Sequence, residues 1–144
     1  EVVWPGRLEV LSHQPFRLMD GAHNDEGILA LAQSLSQLQQ MLGSGKFTIM
    51  FGMLHNKRLE MLDPLLPLAE RFIFTKADSG RLPPMEPQLL VDYVVGKGGR
   101  AQGYSSLAEA MEDAWRASPL CICGSLYLVG SVKNYLRMQS GVIS

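Results

Sequence analysis

Phe16-Arg17-Leu18-Met19-Asp20-Gly21-Ala22-His23-Asn24 is the stretch on which the fold turns: four strand-forming residues, a polar loop, and the opening of a helix. Beyond it, Ile28, Leu31, Ala32, Leu35, Leu38 and Leu42 recur at helical spacing and line one face. Asn24 suits the N-cap, Asp25 and Glu26 place negative charge in the first turn, and Gly43-Ser44-Gly45 closes the helix. Upstream, Leu8-Glu9-Val10-Leu11 is a second strand-like run. Ser12-His13-Gln14-Pro15 joins it to the first, so the two are expected to pair as an antiparallel hairpin.

Downstream, Phe47-Thr48-Ile49-Met50-Phe51 is apolar on both faces, the pattern of a central strand covered on both sides. A helical stretch from about Arg58 to Glu70 contains Pro64 and Pro67 and is expected to be kinked or split. Residues 71–75 read as a strand, and 87–95 as a helix opened by Pro87 and stopped by Gly96-Lys97-Gly98-Gly99. Residues 101–104 suggest a short strand, and Ser106 with Glu109 the capping box of a helix to about Arg116. Residues 120–123 read as the last strand, and Ser125 to about Met138 as the last helix. Strands and helices thus alternate from residue 16 onward. That rhythm predicts an α/β fold, a mostly parallel sheet wrapped by helices with a hairpin strand at one edge. Ligands of such sheets bind beyond the carboxyl ends of the strands. Three loops of that kind, 20–24, 52–58 and 124–125, carry the polar residues.

The 144 residues suffice for one domain with a sizeable core, being 47% hydrophobic and 19% charged. Thirteen Lys plus Arg against fourteen Asp plus Glu leave a net charge of -1, without the basic excess expected of a nucleic-acid partner. Low charge with frequent Leu, Ile, Val and Phe argues against intrinsic disorder. No apolar run approaches the roughly 18–20 residues that cross a bilayer, and no secretory leader pattern is visible. Two cysteines are too few for a disulfide scaffold, so a reducing, cytoplasmic setting is expected. A start at Glu1, with a strand-like segment close behind, reads as a piece of a longer polypeptide.

Asp20-Gly21-Ala22-His23-Asn24 is the densest polar cluster, and a helix N-terminus follows it. A carboxylate, an imidazole and an amide there suit phosphate, ribose or amino-acid recognition; a capped helix with a turn-forming Asp accounts for the same residues. A hydrolytic Asp–His pair is disfavoured, because no motif ties a Ser or Cys nucleophile to it. Arg7 is either a bidentate phosphate clamp or an ordinary surface arginine, and Lys57 is similarly open. His55 reads as a loop histidine. Gly96-Lys97-Gly98-Gly99 lacks the spacing of a phosphate loop, and Cys121 and Cys123 lack further metal ligands, so both read as structure. The eight methionines are expected mostly in the core.

Three motifs in order, Trp4-Pro5-Gly6-Arg7-Leu8-Glu9-Val10-Leu11, Asp20-Gly21-Ala22-His23-Asn24 and Gly124-Ser125-Leu126-Tyr127-Leu128-Val129-Gly130-Ser131-Val132, resemble the C-terminal domain of the folylpolyglutamate synthase/dihydrofolate synthase family, within the Mur ligase superfamily. The resemblance covers essentially the whole chain. It implies a Rossmann-like, mostly parallel sheet with helices on both faces and an N-terminal antiparallel hairpin strand. It implies too that residues 1–144 are one such domain, following a P-loop ATPase domain that this sequence lacks. The implied reaction is ATP-dependent amide formation: a folate or dihydropteroate carboxylate is phosphorylated and then attacked by L-glutamate, with Mg²⁺ held mainly by the other domain. By motif, Arg7 and Asp20 would contact ATP, with Lys57 a further cofactor-binding candidate. His23 would be the catalytic and substrate-binding residue near the phosphates or the glutamate, and Ser125 would help hold glutamate. No metal ligand is assigned here, and a monomer is implied.

One residue departs from the family pattern. Asp25 stands where members commonly have Pro, and it adds negative charge near the proposed nucleotide site. Alternatives are a cell-wall ligase adding amino acids to a muramyl peptide and a non-catalytic nucleotide-binding or interaction module. An NAD-binding domain is more distant, since no G-x-G-x-x-G follows residues 16–19.

Overall fold

Asn24 caps the first helix as its position predicts, Oδ1 accepting from Gly27 N at 2.7 Å, in a computed structural model that describes residues 8–43 and 45–140. Arg7 and the Trp4–Gly6 segment before it lie outside the described residues. Glu9–His13 (β1) and Phe16–Met19 (β2) form the antiparallel hairpin. Helix α1 spans Asp25–Leu42 and ends at Gly43, whose φ of 60° is left-handed and favours a residue without Cβ. Strand β3, Phe47–Phe51, is buried at every position.

The proline-bearing segment is a 3₁₀ helix, Leu59–Leu68, rather than a kinked α-helix reaching Glu70. Pro64 and Pro67 remove amide donors from the α-helical ladder, and the chain straightens into β4, Ala69–Phe74, directly after it. Helix α2 (Pro87–Gly96), β5 (Ala101–Gly103), α3 (Leu107–Ala114), β6 (Leu120–Cys123) and α4 (Leu126–Gln139) complete the chain. Ser106 Oγ accepts from Glu109 N at 3.1 Å, the expected cap of α3.

The sheet runs β1-β2-β6-β3-β4-β5, with β1 antiparallel and the other five strands parallel. Alternating side chains give it two faces. Leu18, Ile49, Phe51, Phe72, Phe74 and Cys121 pack with α1, the 3₁₀ helix and α2. Met19, Met50, Ile73, Leu120 and Ile122 pack with α3 and α4. Each such side chain contributes about 1.5–3 kcal/mol by leaving water. Cys121 and Cys123 are free and buried, and the Cys121 thiol is pushed up by its neighbour Cys123 and by burial, so both are core residues. Most methionines are in the core as expected, whereas Met41 and Met138, near the ends of α1 and α4, are exposed. Among the described residues no helix is long and apolar enough to cross a membrane.

Strand β6 lies between β2 and β3. The chain leaves β2 and β3 toward the first face and β6 toward the second, so the carboxyl end of β6 is a topological switch point.

Candidate functional site

The three loops that follow β2, β3 and β6 meet at that switch point, and Gly124 joins them. Its N–H donates to Ala22 O at 3.0 Å, and a Cβ built on it would lie 2.6 Å from Gly52 O. Such close backbone approach admits only glycine, more so at φ +109°. Asp20 is buried at the end of β2. Its N–H donates to Ile122 O at 2.9 Å, and its Oδ1 accepts from Ala22 N at 2.7 Å. The carboxylate therefore braces the loop, the turn-forming role open to it from the sequence.

His23 is exposed, and its Nδ1 lies 2.9 Å from Gly21 O. A carbonyl only accepts, so Nδ1 carries the proton of the neutral ring and Nε2 carries the lone pair. Ser125 caps α4, its Oγ accepting from Tyr127 N at 3.0 Å and Leu128 N at 3.4 Å. Its hydroxyl hydrogen remains as a donor. Lys57 is half-buried, and among the described residues no carboxylate lies within ion-pairing distance of it. His23, Lys57 and Ser125 line one hollow of about 310 Å³, with Leu54, Leu126 and Tyr127 as its apolar walls. His23 also borders a second hollow of about 150 Å³, shared with Asp20, Gly21 and Asn24.

The structure thus brings together four of the five candidates and leaves the fifth, Arg7, outside the described residues. His55 is a loop residue, held through Nδ1 to Pro83 O at 3.2 Å. The apolar walls were not anticipated, although Leu126 and Tyr127 belong to the third motif; no motif marks Leu54. Nor was the partner of Asp25: Arg58 reaches it at 3.0 Å, so the charge that departs from the family pattern is answered locally. A whole nucleotide does not fit the 150 Å³ hollow, which admits a ribose- or phosphate-sized part. Among the described residues no group of three His, Cys, Asp or Glu side chains is placed to hold a metal ion.

Fold and site define a doubly wound α/β domain whose candidate pocket opens at the switch point of its sheet. The family of the dihydrofolate synthetase C-terminal domain matches residues 9–138, and the chain belongs to it. Folylpolyglutamate synthase of Lacticaseibacillus casei is 30% identical over 145 aligned positions, covering 92% of this chain and 30% of that protein. Dihydrofolate synthetase of Saccharomyces cerevisiae is 29% identical, covering 92% and 35%. A bifunctional folylpolyglutamate synthase/dihydrofolate synthase from Yersinia pestis, complexed with AMPPNP and Mn ion, matches with a TM-score of 0.77 at 26% identity, over 94% of this chain and 32% of that one. The chain spans about a third of the length of these relatives.

Proposed function

We propose that this domain is the glutamate-accepting half of an ATP-dependent ligase that joins L-glutamate to a folate or dihydropteroate carboxylate, the other half being a P-loop domain of the same polypeptide. The convergence of His23, Lys57 and the α4 N-terminus on one 310 Å³ hollow carries the reading. Lys57 and the positive end of the α4 dipole attract a carboxylate of the amino acid. His23 Nε2 takes a proton from its ammonium group, and the amine so freed attacks the activated carboxyl carbon. ATP supplies that activation as an acyl phosphate; the amide bond forms as phosphate leaves. Asp20 and Arg7 close on the nucleotide from the side opposite the P-loop, and Leu54, Leu126 and Tyr127 keep water from the acyl phosphate. Family membership favours this acceptor over the muramyl peptide of a cell-wall ligase.

The test follows ADP release by the full-length enzyme with ATP, Mg²⁺ and L-glutamate, in the presence or absence of dihydropteroate or tetrahydrofolate. Release should need both glutamate and a pterin, and His23→Gln should lower kcat about 100-fold without moving the unfolding midpoint. Release indifferent to the pterin or to His23 would overturn the proposal.

A further inference from the structure

Beyond the ends of β4 and β5 the carboxyl rim holds another hollow, of about 410 Å³, that the mechanism above leaves unused. Thr75, Lys76, Ser105 and Ser131 line it. Phe72 and Phe74 of β4 face α1 and α2, and Ile73 faces α3 and α4, so alternation turns Thr75 toward α3 and α4. Ser131 belongs to α4. Thr75 is 1% exposed, and its Oγ1 has no hydrogen-bond partner among the described residues. Buried hydroxyls ordinarily have one. Among the described residues Lys76 is tied only by a partly exposed ion pair to Glu86 at 3.6 Å, a contact easily exchanged. The Asp78 carboxylate, also in the lining, is turned into its own loop, where Oδ1 accepts from Gly80 N at 2.9 Å.

Two links connect this hollow to the one at Lys57. Leu54 lines the first hollow and Pro84 the second, and the two residues form a β-bridge. Tyr127 and Ser131, one turn apart on α4, likewise line one hollow each. We propose that the second hollow binds a substrate carboxylate other than the one held at Lys57. Lys76 is its cation, and the hydroxyls of Thr75, Ser105 and Ser131 are its donors. This rests on the ligase reading and extends it: the domain recognises a substrate that carries carboxylates at both places. The carboxylate comes either from the side chain of the incoming glutamate or from a glutamyl tail already on the acceptor.

Steady-state rates of the full-length enzyme separate these sources, with L-glutamate varied and with acceptors bearing one or three glutamyl residues. Lys76→Ala should raise one KM about tenfold while kcat stays within about twofold, and Lys76→Arg should recover most of the loss. Thr75→Val should raise the same KM about threefold without lowering the urea midpoint, since a methyl replaces an unpartnered hydroxyl. A rise confined to glutamate assigns the incoming amino acid. A rise for the acceptor that grows with its tail assigns the tail. KM values for both substrates within about twofold of wild type, in Lys76→Ala and Thr75→Val alike, would overturn the inference. A wild-type enzyme that makes no product from glutamate and pterin would overturn the ligase reading and this inference with it, so the wild-type rate tells the two failures apart.

Discussion

Gly124 and Gly21 stand in neighbouring loops of the site and answer differently to the same substitution. A Cβ on Gly124 would meet Gly52 O at 2.6 Å and the Phe51 ring at 2.8 Å, at a φ of +109°. Backbone and a buried ring cannot move aside, so Gly124→Ala is expected to destabilise the domain by about 3 kcal/mol, read as a lowered urea midpoint. On Gly21 the Cβ would meet Leu126 Cδ2 at 2.6 Å, but Leu126 is 58% exposed and free to swing. Gly21→Ala should cost less than about 1 kcal/mol; equal losses at the two positions would refute the distinction. Ser125 can be resolved in the same way. Ser125→Ala removes the α4 cap at a cost of about 1 kcal/mol, whereas Ser125→Gly costs only about 0.3 kcal/mol. If the hydroxyl also donates to glutamate, both variants raise its KM alike; a Gly variant with wild-type KM leaves the serine a cap alone.

Between elements, the strongest polar tie joins β4, the residue after β5, and α3. Arg71 donates to both carboxylate oxygens of Asp113, at 3.1 and 2.8 Å, and Tyr104 adds a bond at 2.6 Å. The Arg71 guanidinium, then Tyr104, hold the Asp113 carboxyl below its ordinary range against the opposing effect of burial. A carboxyl depressed in the folded state stabilises it above the unfolded pKa of about 3.9, and this contribution fades as pH falls through the folded value. Asp113→Asn should therefore cost about 2 kcal/mol at neutral pH and progressively less toward about pH 2. Urea titrations of both proteins across that range check it; a constant difference would show that charge is not what the tie contributes. None of this network is visible in the sequence, since its members come from separate elements. The elements themselves are legible where local chemistry sets them: Asn24 and Gly43 bracket α1, and Ser125 starts α4. The 3₁₀ helix was legible only as a disrupted helix, because Pro64 and Pro67 announce the disruption but not the geometry that replaces it. The loops at strand ends were legible too. The insertion of β6 between β2 and β3 was not, being decided by how the two faces of the sheet are covered. That insertion is what brings His23, Lys57 and Ser125 to one hollow.

Taken whole, the molecule closes both faces of its sheet with its own helices and places the hollows beside Asp20, Lys57 and Lys76 at the carboxyl rim. The first property predicts that the 144-residue chain unfolds on its own in one cooperative transition, since both halves of the core share the same strands. The second predicts an asymmetry between ligands. The Lys57 hollow, at about 310 Å³, is large enough for a whole amino acid, whereas the hollow beside Asp20, at about 150 Å³, takes only part of a nucleotide. By linkage, a ligand that binds only the folded state adds about 2.7 kcal/mol when present at about 100 times its Kd. L-Glutamate should therefore raise the urea midpoint of the isolated chain in a saturable way. ATP should raise it little, and no ADP should form, because the sequence contains no G-x-x-x-x-G-K-[ST] and no metal-holding cluster occurs among the described residues. Stabilisation by ATP with none by glutamate would reverse the assignment, making this the nucleotide-holding half and placing the amino acid on the partner domain.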